Sequence, residues 1–144
     1  MEIKGLRSSY DQVGGIYHFE RMLDKIRLHA AGLLPADYHA NLGAGFDGRV
    51  LAFLRVSYED VKAQVLAGLD DEAILQWCFT QGHQPTADEL EVWSAFMVKR
   101  GWKDAASESL ARRKAAAGLA ERHDIVTFFD LNEVDEDRPP RMGG

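Results

Sequence analysis

The sequence has 144 residues, of which 46% are hydrophobic and 28% are charged. This length and composition are typical of one globular domain that buries a core without disulfides. The formal net charge of −6 disfavours nucleic acid as a partner, because phosphate binding requires an excess of Lys and Arg. The single cysteine, Cys78, favours the reducing cytoplasm. No apolar run is long enough for a signal peptide or a membrane span, so we expect no membrane partner.

Helical periodicity and helix-end signals predict an all-α fold, a compact bundle of about five to seven short helices. Gly14-Gly15 ends an irregular start of the chain. Apolar residues then recur at spacings of three and four from Ile16 to Ala30, which predicts a first helix over 15–31. The glycine-rich loop that follows, residues 32–46, is rich in turn formers and long enough to be a covering or functional segment.

Most of the later helices carry a local start signal. The predicted caps are Asp47, Ser57, Asp70 and Thr86, before helices over 48–55, 58–67, 71–81 and 87–100. An alanine-rich stretch predicts a sixth helix over 104–120. Residues 124–134 are ambiguous, and a short helix is favoured because the chain offers no partner strand. We therefore predict a single helical domain over 1–134 and a disordered, charged tail over 135–144.

One flank of the first helix concentrates charged and titratable side chains. At 100° per residue, His18, Lys25 and His29 fall within about 40° of one another beside the apolar stripe, and Arg21 lies just beyond them. A functional interpretation is an anion site, in which Arg21 and Lys25 bind a carboxylate or phosphate and a histidine moves a proton. The alternative is a solvated face whose charges pair within the helix, through Asp24 with its neighbours three residues away.

We predict that the glycine-rich loop and the following helix start cover this flank. The candidate catalytic residues are His18, Asp24 and His39, and the candidate ligand-binding residues are Arg21, Lys25, Tyr38, Asp47 and Arg49. The first function hypothesis is a protein that binds or converts an anionic small molecule. The alternative is a protein–protein interaction or homo-oligomerising module without catalysis, suggested by the aromatic residues of the fourth and fifth helices and by Phe128-Phe129.

The sequence predicts no metal and no cofactor. His18, His29 and His39 could meet if the glycine-rich loop folds back over the first helix, but their spacing matches no recognised zinc pattern. His18 and His29 are separated by about 16 Å along a helix, too far to share one ion. A metal-dependent hydrolase is therefore the weakest of three function hypotheses. Gly43-Ala44-Gly45 lacks the Lys and the preceding strand of a phosphate-binding loop. Cys78 lies between Trp77 and Phe79, where a free cysteine usually behaves as a small hydrophobic residue and not as a nucleophile.

Several short runs together resemble a known family. The most distinctive is Arg-x-x-Asp-Lys-x-Arg at 21–27. The others are Gly14-Gly15-Ile16, Ala31-Gly32, Tyr38, Gly45-Phe46-Asp47 and the closing segment Asp124–Leu131. With these runs, nearly the whole chain is similar to small bacterial proteins catalogued as domain of unknown function 5069. The resemblance implies a recurring stand-alone unit, and it supplies no activity, cofactor or catalytic residue.

Overall fold

A computed structural model describes residues 1–142 of the chain. Within them lie seven α-helices, which confirms the predicted all-α class. The helices are α1 (Phe19–Ala30), α2 (Phe46–Leu54), α3 (Tyr58–Leu66), α4 (Asp71–Gln81), α5 (Ala87–Lys99), α6 (Ser107–Ala116) and α7 (Phe128–Asp135). Two short strands, β1 (Gln12–Val13) and β2 (Ile16–Tyr17), precede α1, and a 3₁₀ helix (Ala36–Asn41) follows it. No helix among the described residues is both long and apolar enough to span a bilayer.

A β-hairpin stands where the sequence predicted the first helical turn. Val13 pairs with Ile16 in antiparallel register, and Gly14 and Gly15 form the turn with φ of +58° and +79°. Two positive φ angles are required by the tight turn that best matches the twist of paired strands. The predicted helix start at 15 was therefore wrong, because the glycine pair closes a hairpin and α1 begins only at Phe19.

The chain divides into two compact units, and the division falls inside α5. The first unit, Gly5–Glu91, is built around α1, which contacts α2, α3 and β1. The apolar residues that face the core of this unit are buried, as the helical period predicts. Those with 0% exposure are Ile16, Phe19, Met22, Leu23, Val50, Leu54, Val61, Ile74 and Cys78. Because α1 is covered by three elements, polar side chains at the edge of its apolar stripe are also buried.

Local caps set the starts of α3, α4 and α5 as predicted. The side chains of Ser57, Asp70 and Thr86 each accept a hydrogen bond from the backbone N–H three residues later. Asp47 differs, because α2 begins one residue before it and the structure places no side-chain cap at that helix start. The Asp47 carboxylate is therefore available for contacts elsewhere in the unit.

The second unit, Met1–Lys4 with the chain from Val92 onward, contains α6 and α7. Its small core joins Leu110, Ile125 and Leu131. The ambiguous segment is helical, as favoured, but α7 starts after Thr127, whose hydroxyl accepts a hydrogen bond from the Asp130 N–H at 3.1 Å.

The charged tail is described as far as Met142. The backbone N–H groups of Arg141 and Met142 each donate to the Asp130 carboxylate at 2.9 Å. The last two residues of the predicted disordered tail lie outside the described part of the chain. The domain boundary at 134 and the disorder beyond it stay predictions.

Candidate functional site

The charged flank of α1 is buried except at His29, which is exposed. His18, Arg21, Asp24 and Lys25 are exposed by only 2%, 4%, 6% and 5%. Burying charge is costly unless each charge is paired or hydrogen bonded. The solvated face of the alternative interpretation is therefore wrong for these four residues. One of the ion pairs that it predicted within the helix is present, since Arg27 Nη1 lies 3.4 Å from Asp24 Oδ1. The contacts of the four buried residues define the candidate site.

Four buried residues form what we call the inner cluster: Ser9, His18, Lys25 and Asp47. Its centre is the Asp47 carboxylate, which is fully buried. His18 Nε2 lies 2.8 Å from Oδ1, Lys25 Nζ lies 2.9 Å from Oδ2, and the Gly43 N–H donates to Oδ2 at 3.1 Å. Asp47 also lies in the first turn of α2, where the helix dipole stabilises negative charge. The carboxylate is thus held by three donors, two from α1 and its N-cap residue and one from the loop before α2.

His18 is fixed from both sides of its ring. It precedes α1 with a left-handed φ of 69°, a conformation that is strained for a residue with a side chain. Its Nδ1 lies 3.0 Å from the Ser9 hydroxyl, and its ring centroid lies 5.6 Å from that of Phe46. Because an ionised carboxylate only accepts, Nε2 carries the hydrogen toward Asp47, and Nδ1 accepts from Ser9.

The surroundings shift both titratable members of the pair. Burial lowers the pKa of His18 to about 4, and the charges of Lys25 and Arg21 act in the same direction while Asp47 opposes them. Burial acts to raise the pKa of Asp47, but the bond with His18 and the nearby Lys25 lower it overall. At neutral pH the cluster therefore holds an ionised carboxylate, an ammonium group and a neutral imidazole.

The Ser9–His18–Asp47 contacts have the connectivity of a catalytic triad, but the environment does not suit nucleophilic attack. The Ser9 side chain is fully buried, and Lys25 shares the carboxylate that would stabilise an imidazolium ion. An imidazole with a pKa near 4 is also a weak base. Cys78 offers no alternative nucleophile, since burial raises the pKa of its thiol to about 12.

Arg21 brings a second cation close to the inner cluster. Its Nη1 donates to the backbone carbonyl of Arg7 at 3.1 Å, and its charge acts on His18 together with that of Lys25. Arg21 and Lys25 are one helical turn apart, where like charges repel. The two cations therefore lie on the same buried face of α1, as the sequence predicted.

Asp24 belongs to a separate outer network, which we define as Arg7, Glu20, Asp24, Arg27 and Asp71. Arg7 Nε lies 2.9 Å from Asp24 and its Nη2 lies 2.7 Å from Asp71. Arg27 Nη2 also lies 2.7 Å from Asp71, and Arg7 Nη1 lies 3.2 Å from Glu20. These contacts tie the start of the chain and α4 to α1. The contacts of Asp24 indicate a structural role, and its predicted catalytic role has no further support here.

The loop residues are placed differently from the cluster. His39 is exposed in the 3₁₀ helix, and its ring centroid lies 4.7 Å from that of His29. Tyr38 is half-buried, and Arg49 is exposed on α2. The structure thus brings together His18, Lys25 and Asp47 from the predicted set. The roles assigned to all eight predicted site residues stay predictions.

Three contributors were missed by the sequence analysis: Ser9, Gly43 and Tyr58. Tyr58 is half-buried, and burial and the Asp47 charge raise its pKa. A Cβ on Gly43 would lie 2.8 Å from the Tyr58 ring, so only glycine fits there. Gly43 stood out in the glycine-rich loop, but nothing local marked Ser9 or Tyr58, because their contacts depend on how the helices pack.

Comparison with known families agrees with the resemblance seen in the sequence. The family model described as "Domain of unknown function (DUF5069)" matches residues 3–138. The chain belongs to this family. The match covers the inner cluster and the outer network. A search of curated proteins finds no significant match. The family description names no activity, so a functional proposal has to come from the site itself.

Proposed function

We propose that this protein binds a small carboxylate or phosphate at the inner cluster and Arg21. The observation that carries the proposal is the coordination of the buried Asp47 carboxylate by Lys25 Nζ, His18 Nε2 and the Gly43 N–H. Ammonium, imidazole and backbone N–H donors are the groups that recognise carboxylate and phosphate ligands. Asp47 thus occupies, as part of the protein, a set of donors that could also bind the anionic group of a ligand.

Two buried cations lie close to the Asp47 carboxylate. Lys25 contacts it directly, and Arg21 and Lys25 both act on the neighbouring His18. Electrostatic attraction is stronger in a weakly polar interior than in water. Both side chains would therefore help to bind an anionic ligand.

The loop between α1 and α2 supplies a route of entry. Its 3₁₀ helix contains no buried residue, and Gly43 and Gly45 have φ of +72° and +57°. Segments with little buried surface open locally at low free-energy cost. We propose that opening of residues 36–45 withdraws the Gly43 N–H from Asp47 and admits the ligand. This keeps the predicted covering role of the loop that carries Tyr38 and His39.

A bound anion changes the chemistry of His18. Added negative charge raises the pKa of a neighbouring imidazole, here from a value of about 4. His18 then becomes the proton acceptor for any conversion of the ligand. We propose the reducing cytoplasm as the location of this chemistry, which the single, buried Cys78 supports.

The variant Asp47→Asn tests the proposal because it removes the resident charge and keeps the side-chain shape. We expect isothermal titration with phosphate and with citrate to show binding at least about tenfold tighter than in wild type, which corresponds to about 1.4 kcal/mol. Adding Lys25→Met to that variant should abolish the gain. Lys103→Ala, an exposed cation of the second unit, is the matched control and should leave binding unchanged.

Folding of each variant is checked by circular dichroism. If folded wild type and folded Asp47→Asn both fail to bind either anion, the receptor interpretation is wrong. Equal affinity of the two proteins would show that Asp47 does not compete for the site.

The interaction module remains a second candidate because of one surface feature. Val92, Phe96 and Trp102 are exposed by 72%, 40% and 45%, whereas Phe129 of the Phe128-Phe129 pair is fully buried. Exposed aromatic residues are enriched in protein interfaces. We expect sedimentation velocity at micromolar concentration to show a dimer that Phe96→Ser with Trp102→Ser dissociates. A wild-type monomer would exclude self-association at that concentration.

A further inference from the structure

Two histidines meet at the end of α1, away from the contacts of the inner cluster. His29 lies in the last turn of α1 and His39 in the 3₁₀ helix. Their ring centroids are 4.7 Å apart, and the ring planes are inclined by 76°. Both side chains are exposed. The loop therefore folds back onto the end of α1 and places two accessible imidazole rings side by side.

One ring nitrogen of His39, Nε2, already makes a hydrogen bond within the loop. His39 Nε2 lies 2.9 Å from the backbone oxygen of Leu34. A carbonyl oxygen can only accept, so Nε2 carries the hydrogen and the neutral ring has its lone pair on Nδ1. Histidines that bind metals usually donate their other N–H to a carbonyl or carboxylate in this way, which fixes the tautomer and the ring orientation. His39 is thus prepared as an Nδ1 ligand.

The distance between the rings suits a shared ion. A metal–nitrogen bond of about 2.0–2.1 Å places a ring centroid about 3.2 Å from the ion, and two rings at ligand angles between square-planar and tetrahedral then lie about 4.5–5.2 Å apart. The observed 4.7 Å falls within this range. The exposed His29 ring needs only a turn about its side-chain bonds, which costs little at a surface.

We propose that His29 and His39 chelate one divalent transition-metal ion, of the class Zn²⁺, Ni²⁺ or Cu²⁺, with water in the remaining positions. Imidazole nitrogen is a preferred ligand of these ions. Among residues 1–142, no group of three or more His, Cys, Asp or Glu is placed to hold a metal. The site is therefore a two-ligand, exchangeable site and not a closed structural one. Chelation would pin the 3₁₀ helix to α1.

The sequence analysis considered that His18, His29 and His39 could meet through the loop, but it predicted no metal because their spacing matches no zinc pattern. In the structure it is His39 that contacts His29. None of the inner-cluster side chains takes part in this site, so zinc binding can be tested separately from anion binding. Pinning the 3₁₀ helix would oppose the loop opening proposed for anion entry.

The test is zinc titration of the full chain without an affinity tag, followed by calorimetry. We expect one Zn²⁺ per chain, and a loss of affinity of about tenfold or more in His29→Ala and in His39→Ala, because each removes one of two protein ligands. His123→Ala is the matched control, since His123 is also exposed, and should bind zinc as wild type does. Substoichiometric Cu²⁺ should broaden the ring-proton signals of His29 and His39 before those of His123.

Because both histidines are exposed, the variants are expected to fold, which circular dichroism verifies. Absence of stoichiometric zinc binding by folded wild type overturns the proposal. Unchanged affinity in either His29→Ala or His39→Ala does the same, and so does preferential Cu²⁺ broadening at another histidine.

Discussion

The inner cluster and the outer network both include residues of α1 but are built differently. In the outer network, the side chains of Arg7 and Arg27 keep 38% and 37% exposure, and each ion pair joins a guanidinium group to a carboxylate. In the inner cluster, Asp47 and Lys25 are buried and meet a neutral, conformationally strained His18. Ion pairs near water hold segments together at low cost, whereas a buried charge with a strained neighbour costs stability. A function therefore best explains why the inner cluster is retained despite its cost in folding stability.

The largest expected effect comes from removing the centre of the inner cluster. Asp47→Ala deletes the carboxylate between Lys25 and His18, and we expect it to lower the free energy of unfolding by about 3–5 kcal/mol, as for breaking a buried ion pair. Urea unfolding followed by circular dichroism measures the change. Asp37→Ala, an exposed carboxylate of the 3₁₀ helix, should stay within about 0.5 kcal/mol of wild type. A loss below about 1 kcal/mol for Asp47→Ala would contradict the difference drawn between the two regions.

The two regions should also lose stability in different pH ranges. The pKa of His18 falls from 6.5 to about 4 on folding, so between these values the unfolded chain binds a proton that the folded chain does not. Stability contributed by the neutral His18 is present above pH 6.5 and is lost as the pH falls toward 4. Burial opposes the shift of Asp71, but its bonds to Arg27 and Arg7 lower its pKa below 3.8, so its contribution is lost only at lower pH.

Urea unfolding at a series of pH values measures this slope. We expect His18 to contribute up to about 1.4 kcal/mol per pH unit within its range. His18→Gln keeps an N–H donor for Asp47 but cannot titrate. The slope of its unfolding free energy against pH should therefore be smaller, by the equivalent of up to one bound proton. Identical slopes for wild type and His18→Gln would show that the pKa of His18 is not depressed by folding.

The smallest effect is expected in the outer network. Arg27→Ala removes one of two guanidinium groups on Asp71, while Arg7 still contacts both Asp24 and Asp71. Because these groups are partly solvated, we expect a loss of about 1 kcal/mol or less. Thermal unfolding compares this variant with Lys25→Ala, which should be clearly less stable. If Arg27→Ala is as damaging as Lys25→Ala, exposure does not separate the two regions.

The helices were predictable to the extent that their signals are local. Ser57, Asp70 and Thr86 cap their helices with bonds that span three residues, so the sequence contains both partners. The glycine pair at 14 and 15 was recognised as a break but interpreted as the start of a helix. It closes a hairpin instead, because four flanking residues pair across it.

The site was predictable only in part. The charged run of α1 identified Lys25 and Arg21, and the helix start at Asp47 was noticed as a cap. The periodicity argument did not apply to His18, whose left-handed backbone places it before the helix. Asp24 and His39 were assigned to the same site, but the structure places one among guanidinium groups and the other against His29.

The sequence by itself determined the all-α class, the starts of α3, α4 and α5, and the presence of two cations on one flank of α1. Only the tertiary structure decided that this flank is buried, that Asp47 meets His18 across 29 residues and that His39 returns to His29. The physical reason is the distance along the chain over which each interaction acts. Caps and apolar periods act within one or two helical turns, whereas ion pairs between distant residues form only once packing brings their helices into contact.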